Sequence, residues 1–192
     1  MSLFAKRLSR QDSLTLLLIV AFPIHVWAIL IGFYNFQAVA ERAANLLEGL
    51  GYLSYVMLTA LVESLLLFGF LYLLNFLLPK EYGGAKRVVQ LGWLGTAFSL
   101  WMILRQLFNF YGGGTAEFVT GLGRPFLVTI LGLALLLVVI VLSIGWPLLN
   151  VHRSPRAEER LRKFFERLIP LSVLYLVLDG IGLLVVLARN IF

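Results

Sequence analysis

The chain has 192 residues, of which 60% are hydrophobic and 14% are charged, and it contains no cysteine. A soluble domain carries about 25% charged residues, so the composition excludes an ordinary water-soluble protein, and the lack of cysteine excludes disulfides and thiolate metal sites. The net charge of +6 indicates anionic lipid headgroups rather than nucleic acid as the charged partner, because most basic residues lie beside apolar runs.

Five apolar runs are each long enough to cross a hydrocarbon core of about 30 Å. Their apolar residues are continuous, which favours helices over the alternating strands of a membrane barrel. The sequence therefore predicts an all-α fold, a polytopic transmembrane helical bundle that forms a single integral membrane domain over residues 1–192. The predicted spans are residues 13–36, 52–78, 88–110, 125–149 and 168–188.

The first span follows a basic N-terminal segment and has His25 near its centre. Its apolar part is longer than the 7–15 residues, roughly, of a signal-peptide core, so a retained anchor is preferred to a cleaved signal peptide. The next segment, residues 36–51, has apolar residues at helical spacing and charged residues on the opposite face. This pattern predicts a short amphipathic helix on the membrane surface.

The second span contains Glu63, on a stripe with Tyr55 and Thr59. The third span has Arg105 and Asn109 one helical turn apart. Residues 111–125 are rich in glycine and match no phosphate-binding motif, so a flexible connection is expected, with a mobile lid as the alternative. The fourth span has no ionisable residue, and we expect it at the periphery, facing lipid or another subunit.

Before the fifth span, residues 154–170 predict a second interfacial helix with Ser154 as N-cap and Pro155 as its first residue. Its basic residues, within 153–167, are expected to bind anionic lipid headgroups on the cytosolic side. The fifth span places Tyr175 and Asp179 on one face.

The distribution of lysine and arginine predicts the orientation of the chain. Twelve basic residues lie in the N-terminal segment, residues 79–87 and residues 150–167, and four lie elsewhere. By the positive-inside rule, this asymmetry predicts a cytoplasmic N-terminus and an external C-terminus.

Ionisable residues in four spans form the candidate site. His25, Glu63 and Asp179 are predicted near one depth, with Arg105 within reach. Unpaired charges are costly there, so we expect an ion pair between Glu63 and Arg105 and a hydrogen-bonded pair between His25 and Asp179. A secondary group of polar residues would complete this seam: Tyr55, Thr59, Asn109 and Tyr175. The seam is either dry and structural or water-filled and functional.

Catalytic and cofactor motifs are missing from the sequence. A single membrane-embedded histidine excludes a bis-histidine haem held by this chain alone, and neither a zinc-protease motif nor a nucleophile elbow is present. We therefore predict a non-catalytic subunit or scaffold of a membrane complex, without a metal or cofactor, that binds lipid or quinone in the seam and has a protein partner or a homo-oligomeric state. The alternatives are a small transporter or proton pathway through the seam, and a lipid-modifying enzyme.

Overall fold

The computed structural model describes residues 8–41, 46–79, 81–111 and 126–191. Its five α-helices are α1 (Arg10–Ala40), α2 (Leu46–Leu74), α3 (Gly84–Tyr111), α4 (Phe126–Arg153) and α5 (Pro155–Ile191), and a 3₁₀ turn, Asn75–Leu77, follows α2. Each of the five is long and apolar enough to span a membrane, which confirms the predicted all-α fold with five helices of spanning length.

Side-chain caps fix the start of two helices. The Ser9 hydroxyl accepts a hydrogen bond from the Asp12 backbone N–H at 3.0 Å and donates one to the Asp12 carboxylate at 2.8 Å, a reciprocal arrangement that satisfies free donors at a helix start. The Ser154 hydroxyl accepts from the Ala157 N–H at 3.4 Å, and α5 begins at Pro155. The predicted cap is therefore confirmed.

The segments predicted as interfacial helices are parts of longer elements. Residues 154–170 are the first part of α5, which runs through Pro170 without interruption. In the other segment, residues 36–40 end α1 and residues 46–51 begin α2, while residues 42–45 lie outside the described part of the chain. The glycine-rich connection lies outside it as well, over residues 112–125.

Helix α1 is central, because it packs against α2, α3 and α5. The apolar core lies where α1, α3 and α5 begin and α2 ends, around Leu16, Ile19, Leu71 and Phe165. These positions are fully or almost fully buried. The core therefore closes one end of the bundle.

Two glycines of α3 allow its neighbours to approach closely. A Cβ added at Gly95 would lie 2.6 Å from Leu71 Cδ1 of α2 and 2.9 Å from Val20 Cγ2 of α1. A Cβ at Gly92 would lie 3.1 Å from Ile19 Cγ2. All three distances are shorter than ordinary van der Waals contact, so a side chain at Gly95 would force Leu71 or Val20 to shift and one at Gly92 would press on Ile19. Small residues commonly allow such close approach between membrane helices.

Helix α4 lies at the edge of the bundle, where it packs against α3 and α5. None of the described side chains between Ile130 and Asn150 is buried. Within the apolar part of α4, Trp101 Nε1 of α3 donates a hydrogen bond to Ser143 Oγ at 2.8 Å. This position agrees with the peripheral location predicted for the fourth span.

Candidate functional site

A buried histidine–aspartate pair joins the first and last helices. His25 Nε2 lies 2.9 Å from Asp179 Oδ2, and the two side chains are 0% and 2% exposed. The residues are 154 positions apart in the sequence, so only the tertiary fold brings them together. The predicted hydrogen bond between them is confirmed, whereas a functional role for the pair stays a prediction.

The hydrogen bonds of His25 define where its protons lie. Its Nδ1 is 2.8 Å from the carbonyl oxygen of Ala21, and a carbonyl only accepts, so Nδ1 carries a proton and donates it. The contact between Nε2 and Asp179 Oδ2 then requires one further proton, held by either the imidazole or the carboxyl group. In both arrangements the pair has no net charge, which reduces the cost of burying it.

Tyr175 and small residues surround the pair. The Tyr175 ring stacks on the His25 ring, with centroids 5.8 Å apart and planes within 5°. One turn beyond Asp179, a Cβ added at Gly182 would lie 3.4 Å from the Ser54 backbone oxygen of α2, so α5 lies against the backbone of α2 there. The predicted polar stripe of α5 therefore does face the bundle.

One atom of this site has no partner within the described residues. Asp179 Oδ1 is buried and has no hydrogen bond there, although an ionised carboxylate accepts several. A buried acceptor without a donor is unfavourable by about 1–3 kcal/mol. The free oxygen is the place in this pair where a proton, a water molecule or an ion would lower the free energy.

Glu63 lies outside this site. It is exposed. The face of α2 that turns inward is formed by Ala60, Ser64 and Leu71, and Glu63, one residue before Ser64, points about 100° away from that residue. Among the described residues, ion pairs join His25 to Asp179 and connect side chains within α5, and none of them includes Glu63 or Arg105. The predicted ion pair between Glu63 and Arg105 is therefore wrong.

Arg105 is also exposed, on the second half of α3. The neighbouring residue, Gln106, faces α1 and accepts a hydrogen bond from the Trp27 indole. Of the four predicted ionisable groups, the fold brings together His25 and Asp179 and leaves Glu63 and Arg105 on the surface. The seam is therefore a contact between α1 and α5, without an ionisable group from α2 or α3.

The secondary polar residues are divided in the same way. Tyr175 adjoins the buried pair. Tyr55 is 46% exposed and its hydroxyl accepts a hydrogen bond from Asn190 Nδ2 at 3.1 Å, which connects α2 to the end of α5. Thr59 donates to the Tyr55 carbonyl oxygen at 2.9 Å within α2, and Asn109 is exposed.

Some buried polar residues were not anticipated from the sequence. Asn75 is 0% exposed, and neither atom of its side-chain amide has a hydrogen-bond partner among the described residues. Gln90 is 7% exposed, and its Oε1 has no such partner either. The burial of Gln90 could have been recognised from its position between Val89 and Leu91 in an apolar run. Asn75 also follows an apolar run, but no pattern in the sequence distinguishes it as buried.

A second histidine joins the ends of α3 and α4. The Tyr82 hydroxyl lies 2.6 Å from His152 Nδ1, and Lys86 Nζ donates to the His152 carbonyl oxygen at 3.3 Å. The Lys86 ammonium also lies 4.7 Å from the centroid of the Tyr82 ring. Since these side chains bind to one another and to the backbone, they form a structural connection.

Neither histidine belongs to a metal-type cluster. In residues 8–41, 46–79, 81–111 and 126–191, no group of three or more His, Cys, Asp or Glu side chains could hold a metal ion. Comparison of the chain with protein-family models, with curated proteins and with solved structures gives no match.

Proposed function

We propose that this protein is a non-catalytic subunit of a membrane complex and that a protein helix covers Glu63. The observation that carries the proposal is the position of this carboxylate. It lies midway along the span Glu48–Leu77, is exposed and has no hydrogen bond or ion pair within the described residues. A charge facing lipid at this depth costs at least about 2.5–3.5 kcal/mol, and a protein partner that supplies a donor removes that cost.

The buried pair supports a scaffold function. His25 and Asp179 are 0% and 2% exposed and bind each other. A buried contact of this kind favours a structural link between two helices over a water-filled path. Polar side chains that bind across membrane helices fix which faces meet. In this proposal, the pair holds α1 against α5 so that α2 and α3 can present their free faces.

The N-terminal part of α5 fits a cytosolic lipid surface. It has exposed basic side chains, and three ion pairs order Arg162 and Lys163 against Glu159 and Glu166 at distances of 2.5–3.6 Å. Arg156, which is exposed, has no ion pair among these. Basic side chains beside a span attract anionic lipid at about 1 kcal/mol each, and this attraction supports the predicted orientation with the N-terminus inside.

A crosslinking experiment tests the scaffold proposal. A photoreactive residue replaces Phe70, which is 57% exposed on α2, and in a separate control it replaces Leu137, which is 62% exposed on α4. We expect a protein–protein adduct in native membranes from position 70 and much less from position 137. If neither position gives a protein adduct and the chain migrates as a single copy in mild detergent, the proposal is refuted.

A proton or ion pathway is the second candidate, and the unpartnered Asp179 Oδ1 is the observation that favours it. A pathway needs a carboxylate that exchanges a proton or binds a cation during transport. Asp179→Asn keeps a hydrogen bond to His25 but removes this ability. Loss of proton or ion flux in proteoliposomes on Asp179→Asn would support the pathway. Equal flux in liposomes with and without the wild-type protein would exclude it.

A further inference from the structure

Helices α2 and α3 run in opposite directions and contact each other near the end of α2 and in the first half of α3. They are joined by residues 75–83, and Gly95 of α3 lies against Leu71 of α2, so closely that an added Cβ would be 2.6 Å from Leu71 Cδ1. In an antiparallel pair, the residues before Leu71 and the residues after Gly95 extend from this contact in the same direction. The contact is therefore a common origin for measuring positions along both helices.

Glu63 and Arg105 lie at nearly the same level. Glu63 precedes Leu71 by eight residues, about 12 Å of helix, and Arg105 follows Gly95 by ten residues, about 15 Å. The difference of about 3 Å is well within the reach of an arginine side chain. A carboxylate and a guanidinium therefore occupy one depth of the bundle on neighbouring helices.

Ideal helix geometry also directs the two residues to the same side of α2 and α3. Eight residues at about 100° each leave Glu63 rotated by about 80° from Leu71, and ten residues leave Arg105 rotated by about 80° from Gly95. Because the helices run in opposite directions, these two rotations turn both side chains away from the contact toward one side of the pair. Both residues are exposed there.

We call this surface the α2–α3 face. Besides Glu63 and Arg105, it contains apolar side chains at compatible helical positions: Phe70, Phe98 and Met102, which are 57%, 50% and 38% exposed. A patch with one carboxylate, one guanidinium and flanking aromatic rings is typical of a protein contact more than of a surface that faces lipid.

We propose that the α2–α3 face binds a second copy of this chain about a two-fold axis along the membrane normal. This inference rests on the proposed function and names the partner. Rotation by 180° places α2 of one copy opposite α3 of the other, since both helices border the same face. Glu63 of each copy then meets Arg105 of its partner, and the two ion pairs are equivalent, as in any isologous contact.

The charges favour an identical chain over an unrelated helix. Each copy supplies one acid and one base at the depth where its partner supplies the opposite sign, so the surface is complementary to itself. Both copies have the same orientation in the membrane, because an axis along the normal does not invert the chain. All four charges are then paired at one interface.

The test is a charge exchange between differently tagged chains that are co-expressed and extracted in mild detergent. Capture through one tag should recover the second tag for the wild type, and at least about tenfold less of it for Glu63→Arg alone or Arg105→Glu alone, since one sign then meets itself. When a Glu63→Arg chain is co-expressed with an Arg105→Glu chain, both contacts again join opposite charges. Recovery should return to the wild-type level.

Glu166→Arg is the control, because Glu166 is exposed on α5 away from the α2–α3 face, and this change should leave recovery unaffected. The helical content of each variant and its unfolding in detergent show whether that variant folds like the wild type. Loss of recovery in the single variants and restoration in the mixed sample support the two-fold contact, since a pair within one chain cannot be restored by another chain.

Three other outcomes contradict binding of a second copy. If the exchange restores recovery only when both changes are in one chain, Glu63 and Arg105 pair within that chain. If wild-type chains do not recover each other but the photoreactive residue at position 70 still gives an adduct with a different protein, the scaffold function stands and its partner is not this chain. If position 70 also gives no adduct, the proposed function falls together with the contact.

Discussion

Substitution of Asp179 measures what the buried pair contributes to stability. Asp179→Ala removes the carboxylate and leaves His25 Nε2 without its partner at a position that is 0% exposed. A buried polar group without a partner costs about 1–3 kcal/mol, whereas hydrogen bonds between membrane helices average about 0.6 kcal/mol. Since both side chains are buried within protein, we expect the larger cost, about 1–3 kcal/mol.

Asp179→Asn is the matched variant. His25 Nδ1 donates to Ala21, so a neutral imidazole has its lone pair on Nε2, and an asparagine N–H can donate to that lone pair at the place of Asp179 Oδ2. The asparagine oxygen would occupy the place of Asp179 Oδ1, which already has no partner in the described residues. We therefore expect a loss of less than about 1 kcal/mol for Asp179→Asn.

Reversible unfolding in mixed micelles with increasing sodium dodecyl sulfate, followed by circular dichroism, gives both free energies. The double variant His25→Ala/Asp179→Ala completes a cycle, and its loss should be smaller than the sum of the single losses, because the second change removes a group that is already unpaired. Equal losses for Asp179→Asn and Asp179→Ala would contradict the proton assignment. A neutral Asp179→Ala would refute the contribution of the pair.

Two further changes test the packing of α3. Gly95→Ala should lower the unfolding free energy by about 1–3 kcal/mol, because the added Cβ would overlap Leu71 and Val20. Gly69→Ala, where a Cβ would meet nothing within 4 Å, should not lower it, because alanine favours a helix interior over glycine by up to about 1 kcal/mol. Equal effects of the two changes in the same unfolding assay would refute the close contact. Trp101→Phe removes the hydrogen-bond donor to Ser143 and should lower the unfolding free energy by at most about 1.7 kcal/mol. Tryptophan fluorescence during unfolding would detect whether α4 separates from the bundle first.

Helix positions and the burial of His25 and Asp179 could be predicted from the sequence because both depend on local patterns. A transmembrane helix satisfies its own backbone, so composition and length alone indicate the five spans. His25 and Asp179 occur on stripes of small and polar residues, and such stripes are the faces that meet other helices. The bundle indeed buries Ala21, His25, Ser172 and Asp179.

The position of Glu63 depended on the tertiary structure. Helix α2 is apolar on all sides, and lipid is as apolar as a helix interface, so hydropathy does not distinguish the face toward the bundle from the face toward lipid. The stripe through Tyr55, Thr59 and Glu63 suggested an inward face, but the residues of α2 that the bundle buries include Ala60 and Ser64 instead. Because consecutive residues of a helix differ by about 100° in direction, Ser64 is buried while Glu63, one residue earlier, is exposed.

The sequence by itself determined which ionisable residues lie inside the five long apolar helices, because composition and length are enough to recognise a run that could span a membrane. Only the tertiary structure decided which of them meet. The contact of Gly95 with Leu71 sets the register of α2 and α3, and that register depends on side-chain shapes from three helices at once. Glu63 and Arg105 are exposed and do not pair with each other, and this is the basis for proposing a partner.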